Sequence, residues 1–148
     1  MPLLTSMNIK TRKILGYSGL IPFFAFSFLP LAIPFPEGYI FNLLLSFYGG
    51  IILSFLGGIT WGWPKNENHI FSLIAGIFFS LIGFFIISFS NMFLYYCLCL
   101  GLLSFIAFFL FELSFSEQML NKDYRFLRGS LTSLVSICYL VSLATFNW

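Results

Sequence analysis

The chain has 148 residues, of which 59% are apolar and 8% charged, and its mean hydropathy is +0.98. Soluble domains carry roughly a quarter charged residues, so a water-facing surface cannot be assembled from this composition and the sequence reads as an integral membrane protein. A net charge of +2 is too small for a nucleic-acid footprint; the bilayer is the expected partner, and where the charges sit matters more than their sum.

A helix needs about 20 apolar residues to cross a hydrocarbon core of roughly 30 Å, and five stretches meet that length. The first, residues 14–33, follows Lys10, Arg12 and Lys13 and contains Pro22 and Pro30. In lipid such prolines are expected to kink a helix rather than end it, because neighbours satisfy the freed carbonyls. A cationic leader before an apolar run also fits a secretory signal, but the run exceeds the usual core of about 7–15 residues and continues into Pro34 and Phe35 instead of a small-residue cleavage site. It is therefore expected to stay; a mature chain starting near Glu37 would show otherwise.

After "PFPEG" comes the second stretch, residues 39–63, which ends in "SFLGGITWGW". Gly50, Ser54, Gly58 and Gly62 recur every four residues and so share one helix face, with Gly49 and Gly57 beside them. Each Gly costs about 1 kcal/mol against Ala in a helix in water, whereas in lipid small residues let backbones approach closely. The stripe is expected to be a packing seam, internal to the bundle in preference to a face for a second copy, and Gly58→Leu is expected to cause misassembly. Trp61 and Trp63 are expected in the interfacial aromatic belt, with Pro64 stopping the helix.

The third stretch, residues 70–90, follows "PKNENH" and carries a weaker stripe at Ser72, Gly76 and Ser80. The fourth, residues 91–111, begins at a turn expected at Ser90 and Asn91. Cys97 and Cys99 would point about 200° apart on a helix, which suits neither a redox pair nor a shared metal, and with Cys138 all three cysteines lie in apolar runs. No disulfide framework, metal or cofactor is expected. The fifth stretch, residues 127–146, follows a polar connection from Glu112 to Arg125.

Short connections make successive helices antiparallel neighbours, so an all-α membrane protein is expected: one five-helix transmembrane bundle forming a single domain over residues 1–148. Five crossings then place Lys10, Arg12, Lys13, Lys65, Lys122, Arg125 and Arg128, every basic residue, on one side. Basic residues resist translocation, so the amino terminus is expected inside and the carboxyl terminus outside. The membrane is expected to be the bacterial inner membrane, or the mitochondrial inner membrane if the chain is eukaryotic.

On the basic side a polar cluster gathers His69, Glu112, Asp123, Arg125 and Arg128. A hairpin turning near residues 120–122 would bring Glu112 and Arg128 to equal depth as an ion pair, with snorkelling of Arg128 to lipid phosphate as the alternative. Asp123 is placed to cap the fifth helix.

The segments "GYSGLIPFFAF", "SFLGGITWGW" and "DYRFLRGSLTSLV" together resemble a small family of bacterial and mitochondrial membrane proteins that includes transmembrane protein 69. The resemblance spans nearly the whole chain and implies a multi-helix membrane architecture without an assigned activity. Similar sequences carry His where this one has Thr60, so a role for that imidazole does not transfer. With no ionisable residue at mid-membrane depth, no zinc constellation and no nucleophile beside a base, a non-catalytic structural or accessory component is the favoured reading, with a membrane-protein partner or a second copy beside it. A small transporter or channel is the runner-up, and an enzyme using His69, Glu112 or Asp123 at the inner interface is the third.

Overall fold

The computed structural model describes residues 10–11, 13–33, 36–63 and 69–146, the side chain of His69 excepted. These residues are all-helical. Five helices among them are long and apolar enough to cross a membrane. The expectations resting on Arg12, Pro34, Phe35, Pro64, Lys65 and the His69 side chain fall outside the described residues.

The first span, Lys13–Ala32, is broken rather than merely kinked. Residues 13–18 are helical, Gly19 and Leu20 form a turn, and α1, Ile21–Ala32, restarts with Pro22 in its first turn. The physical reason is that Pro22 has no N–H to continue the earlier ladder yet suits the first turn of a new helix. The Gly19 carbonyl at the break accepts a hydrogen bond from the Tyr48 hydroxyl at 2.9 Å, which is how a neighbouring helix makes a break tolerable in lipid. Pro30 is accommodated inside α1.

The chain continues through α2, Glu37–Ile59, which ends in a 3-10 turn, Thr60–Gly62. Then follow α3, His69–Phe89, and α4, Leu94–Phe115. A second 3-10 turn, Glu117–Leu120, leads to α5, Lys122–Ala144. The turn between α3 and α4 covers residues 90–93, so α4 starts and ends later than the apolar run suggests. α5 in turn starts five residues before the expected position, because its first turn is polar and extends past the apolar segment.

The most extensive helix contact is α2 on α3, and it is a small-residue seam. A Cβ on Gly50 would lie 2.7 Å from Ile87 Cγ1 and 2.8 Å from the Gly83 carbonyl oxygen, and a Cβ on Gly57 would collide with the Gly76 carbonyl and lie 2.6 Å from Ser80 Oγ. Ser54 donates to the Ser80 carbonyl at 3.2 Å and Ser80 donates back to the Ser54 carbonyl at 3.1 Å. Ser46 and Ser90 share a hydroxyl hydrogen bond of 2.7 Å at the far end.

The seam departs from the four-residue spacing in one respect. Gly58 and Gly62 meet open space, so the misassembly expected of Gly58→Leu does not follow, and the contact passes through Gly57 and Thr60 instead, Thr60 lying against Gly76. Helices packed at a shallow angle keep contact every 3.5 residues on average, so steps of four are mixed with steps of three, as from Ser54 to Gly57 and on to Thr60. A strict i+4 row rotates off the contact.

The core lies where α1, α2, α4 and α5 converge, around Phe23, Leu45, Leu53, Leu98, Phe105 and Tyr139. Tyr139 is fully buried, and its ring edge occupies space that a side chain at either Gly49 or Gly101 would claim. Its hydroxyl has no hydrogen-bond partner. Large apolar side chains such as Ile51, Phe55, Ile74, Phe78, Phe84 and Leu103 face outward, where only lipid solvates them at low cost.

Candidate functional site

Alternation of the five spans gathers Lys10, Lys13, Glu112, Glu117, Lys122, Asp123, Arg125 and Arg128 at one end of the bundle, and leaves Glu37 as the charged residue at the other among the described residues. Within the first group one constellation is buried. Glu112 sits in the last turn of α4, 1% exposed, and Arg128 in the second turn of α5, 12% exposed. Arg128 Nε donates to Glu112 Oε2 at 2.7 Å, and Nη2 lies 2.6 Å from the same oxygen. Tyr124 donates its hydroxyl to Glu112 Oε1 at 2.8 Å. Both carboxylate oxygens are thus engaged, and the guanidinium also stands 5.7 Å from the centre of the Phe108 ring.

The local sequence explains the arrangement. Tyr124 and Arg128 are four residues apart and share a face of α5, and the connection of residues 116–121 turns the chain back so that this face meets the last turn of α4. The helix cap is Asn121, whose Oδ1 accepts from the Asp123 N–H at 2.9 Å and from the Tyr124 N–H at 3.4 Å. Asp123, the expected cap, lies instead inside the first turn, where its charge favours the helix dipole. It is exposed, as is Arg125, and neither joins the buried constellation.

The two tryptophans part company. Trp61 is 59% exposed, while Trp63 is 6% exposed and stacks on Phe111 with ring centres 5.6 Å apart. Trp63 therefore belongs to the packing between the end of α2 and α4, because the 3-10 turn rotates it inward.

An apolar groove of about 470 Å³ runs from the buried constellation between the first span, α2 and α5. Leu20, Phe23, Phe55, Ile59, Leu131 and Val135 are among its walls, and Gln118, Tyr124 and Arg128 form its polar end. Leu15 and Phe55 both line it and are largely exposed, so it opens on the flank of the bundle. Sequence reading missed this groove along with Tyr124, Gln118 and Asn121. The i, i+4 spacing of Tyr124 and Arg128 was the available signal for the first of them.

Farther along, Ser142 donates to Asn42 Oδ1 at 2.6 Å, both buried, tying α2 to α5. Among the described residues no three His, Cys, Asp or Glu side chains come together. Chemically, the Glu112 carboxylate is an acceptor engaged by three donor groups on two side chains, and its pair with Arg128 is neutral as a unit.

Residues 9–144 match the model of a family described as a protein of unknown function (DUF3429). No curated protein and no solved structure matches the chain.

Proposed function

The chain belongs to the DUF3429 family, and we propose that it serves as a non-catalytic structural or accessory component of a bacterial inner membrane, or of the mitochondrial inner membrane if eukaryotic. Its likeness to the transmembrane protein 69 group is part of this proposal. The observation that carries it is the internal satisfaction of Glu112 by Arg128 and Tyr124. A carboxylate with both oxygens occupied holds α4 to α5 and is poorly placed to relay protons or act as a general base. The retention of basic residues at one end supports an orientation with the amino terminus inside and the carboxyl terminus outside.

Purification of the tagged protein in mild detergent, with identification of what accompanies it, tests the accessory reading: a stoichiometric membrane-protein partner is expected, and its absence at native expression levels would refute it. Reporter fusions at the two ends test the orientation, with opposite compartments expected. A second reading, a small transporter, draws on the helix break at Gly19 and Leu20, which lies beside the groove as broken helices lie beside transport sites. Solute flux in proteoliposomes distinguishes it.

A further inference from the structure

The geometry points to a phospholipid-binding site in the groove between the first span, α2 and α5, with an acyl chain along its apolar walls and the phosphate at Arg128 and Gln118. Three observations carry the assignment.

The first is the cavity itself. At about 470 Å³ it falls in the usual range for small-molecule sites, and its mostly apolar lining with a few polar groups at one end is the usual pattern. Leu15 and Phe55 carry it to the bundle surface, so in a bilayer its apolar length is in contact with acyl chains. Filling it with hydrocarbon restores dispersion contacts that an empty cleft would forgo.

The second is the chemistry of the closed end. A guanidinium has five N–H donors, and Glu112 takes those on Nε and one on Nη2. The remaining three belong to a side chain that lines the groove. Planar N–H pairs suit phosphate oxygens. Gln118, half-buried on the same wall, adds an amide donor. Because Glu112 neutralises one unit of charge, the site favours a phosphate with an attached chain over a small, highly charged anion.

The third is depth. Arg128 lies six residues into α5, about 9 Å along the helix axis, in a helix of 23 residues that spans about 35 Å. Lys122, Asp123 and Arg125 precede Arg128 and the apolar run starts only at Phe126. Side chains on a helix lean toward its amino end, so the guanidinium reaches toward the boundary between headgroups and hydrocarbon, where a lipid whose tail lies in the groove carries its phosphate.

Native mass spectrometry of the purified full chain, titrated with phosphatidylglycerol and with diacylglycerol of the same acyl chains, tests the site. The wild-type protein is expected to retain one phosphatidylglycerol and to bind diacylglycerol about tenfold more weakly, the loss expected for charge-assisted hydrogen bonds to the phosphate. Gly62 lines the groove and faces open space, so Gly62→Leu is expected to fill it and reduce phosphatidylglycerol retention about tenfold. Gly58 also faces open space but lies off the groove, and Gly58→Leu is expected to bind as the wild type does. Equal binding of the two lipids by the wild type, or undiminished retention by Gly62→Leu, would overturn the assignment. The first comparison needs no variant to fold.

Discussion

Neighbouring glycines on α2 should respond to the same substitution with opposite signs. At Gly57 an added methyl collides with the Gly76 carbonyl and sits 2.6 Å from Ser80 Oγ and 3.1 Å from Ser80 N. Two of these three are backbone atoms, so relief requires α2 and α3 to separate. Such overpacking costs about 1–3 kcal/mol, and separation also loosens the reciprocal Ser54 and Ser80 hydrogen bonds, each worth roughly 0.6 kcal/mol in a membrane. The gain in helix propensity on replacing Gly by Ala, about 1 kcal/mol, offsets only part. Gly57→Ala should therefore be destabilised by about 1–3 kcal/mol. Gly58→Ala meets nothing within 4 Å and should be stabilised by up to about 1 kcal/mol. Unfolding in mixed micelles of increasing SDS fraction, followed by circular dichroism, gives both values. If Gly57→Ala proved as stable as Gly58→Ala, the assignment of the seam would be wrong.

Three further outcomes are expected. Arg128→Met leaves the buried Glu112 carboxylate without its cation and should cost about 3–5 kcal/mol, whereas the double variant Glu112→Leu with Arg128→Met should recover most of that loss in the same unfolding assay. Asn121→Ala removes the cap of α5 and should lower stability by about 1 kcal/mol, while Asp123→Asn should change it by only a few tenths to about 1 kcal/mol; thermal melts in detergent compare them. Tyr139→Phe deletes a buried hydroxyl that has no partner and should raise stability by about 1 kcal/mol, read from the same melts.

Helix number was legible because lipid imposes a length: a run of about 20 apolar residues has few alternatives to crossing. Helix ends were less so, since hydropathy marks where lipid stops and not where hydrogen bonding stops. α5 therefore opens at Lys122, through a polar first turn capped by Asn121, and α4 carries on past Glu112 to Phe115. The seam was half legible. Gly50 and Ser54 lie on it, but extrapolating in fours led to Gly58 and Gly62, since only the partner helix determines where the step of three falls. Trp63 was misplaced for a related reason: a single 3-10 turn, invisible to composition, swings it from the interface onto Phe111. The pairing of Glu112 with Arg128 was accessible from hairpin symmetry, whereas the groove depends on how three helices diverge, which no local pattern records.

The order in which the chain emerges gives the burial of Tyr139 a consequence for biogenesis. Gly49 and Gly101 form their two halves of a slot on α2 and α4 before the ring that occupies it has been synthesised, and Glu112 likewise precedes Arg128. A nascent chain that has inserted four helices thus holds an open notch and an unmatched carboxylate, both resolved when α5 leaves the translocon. Truncation before residue 128 should accordingly yield a product marked for proteolysis instead of a smaller stable bundle.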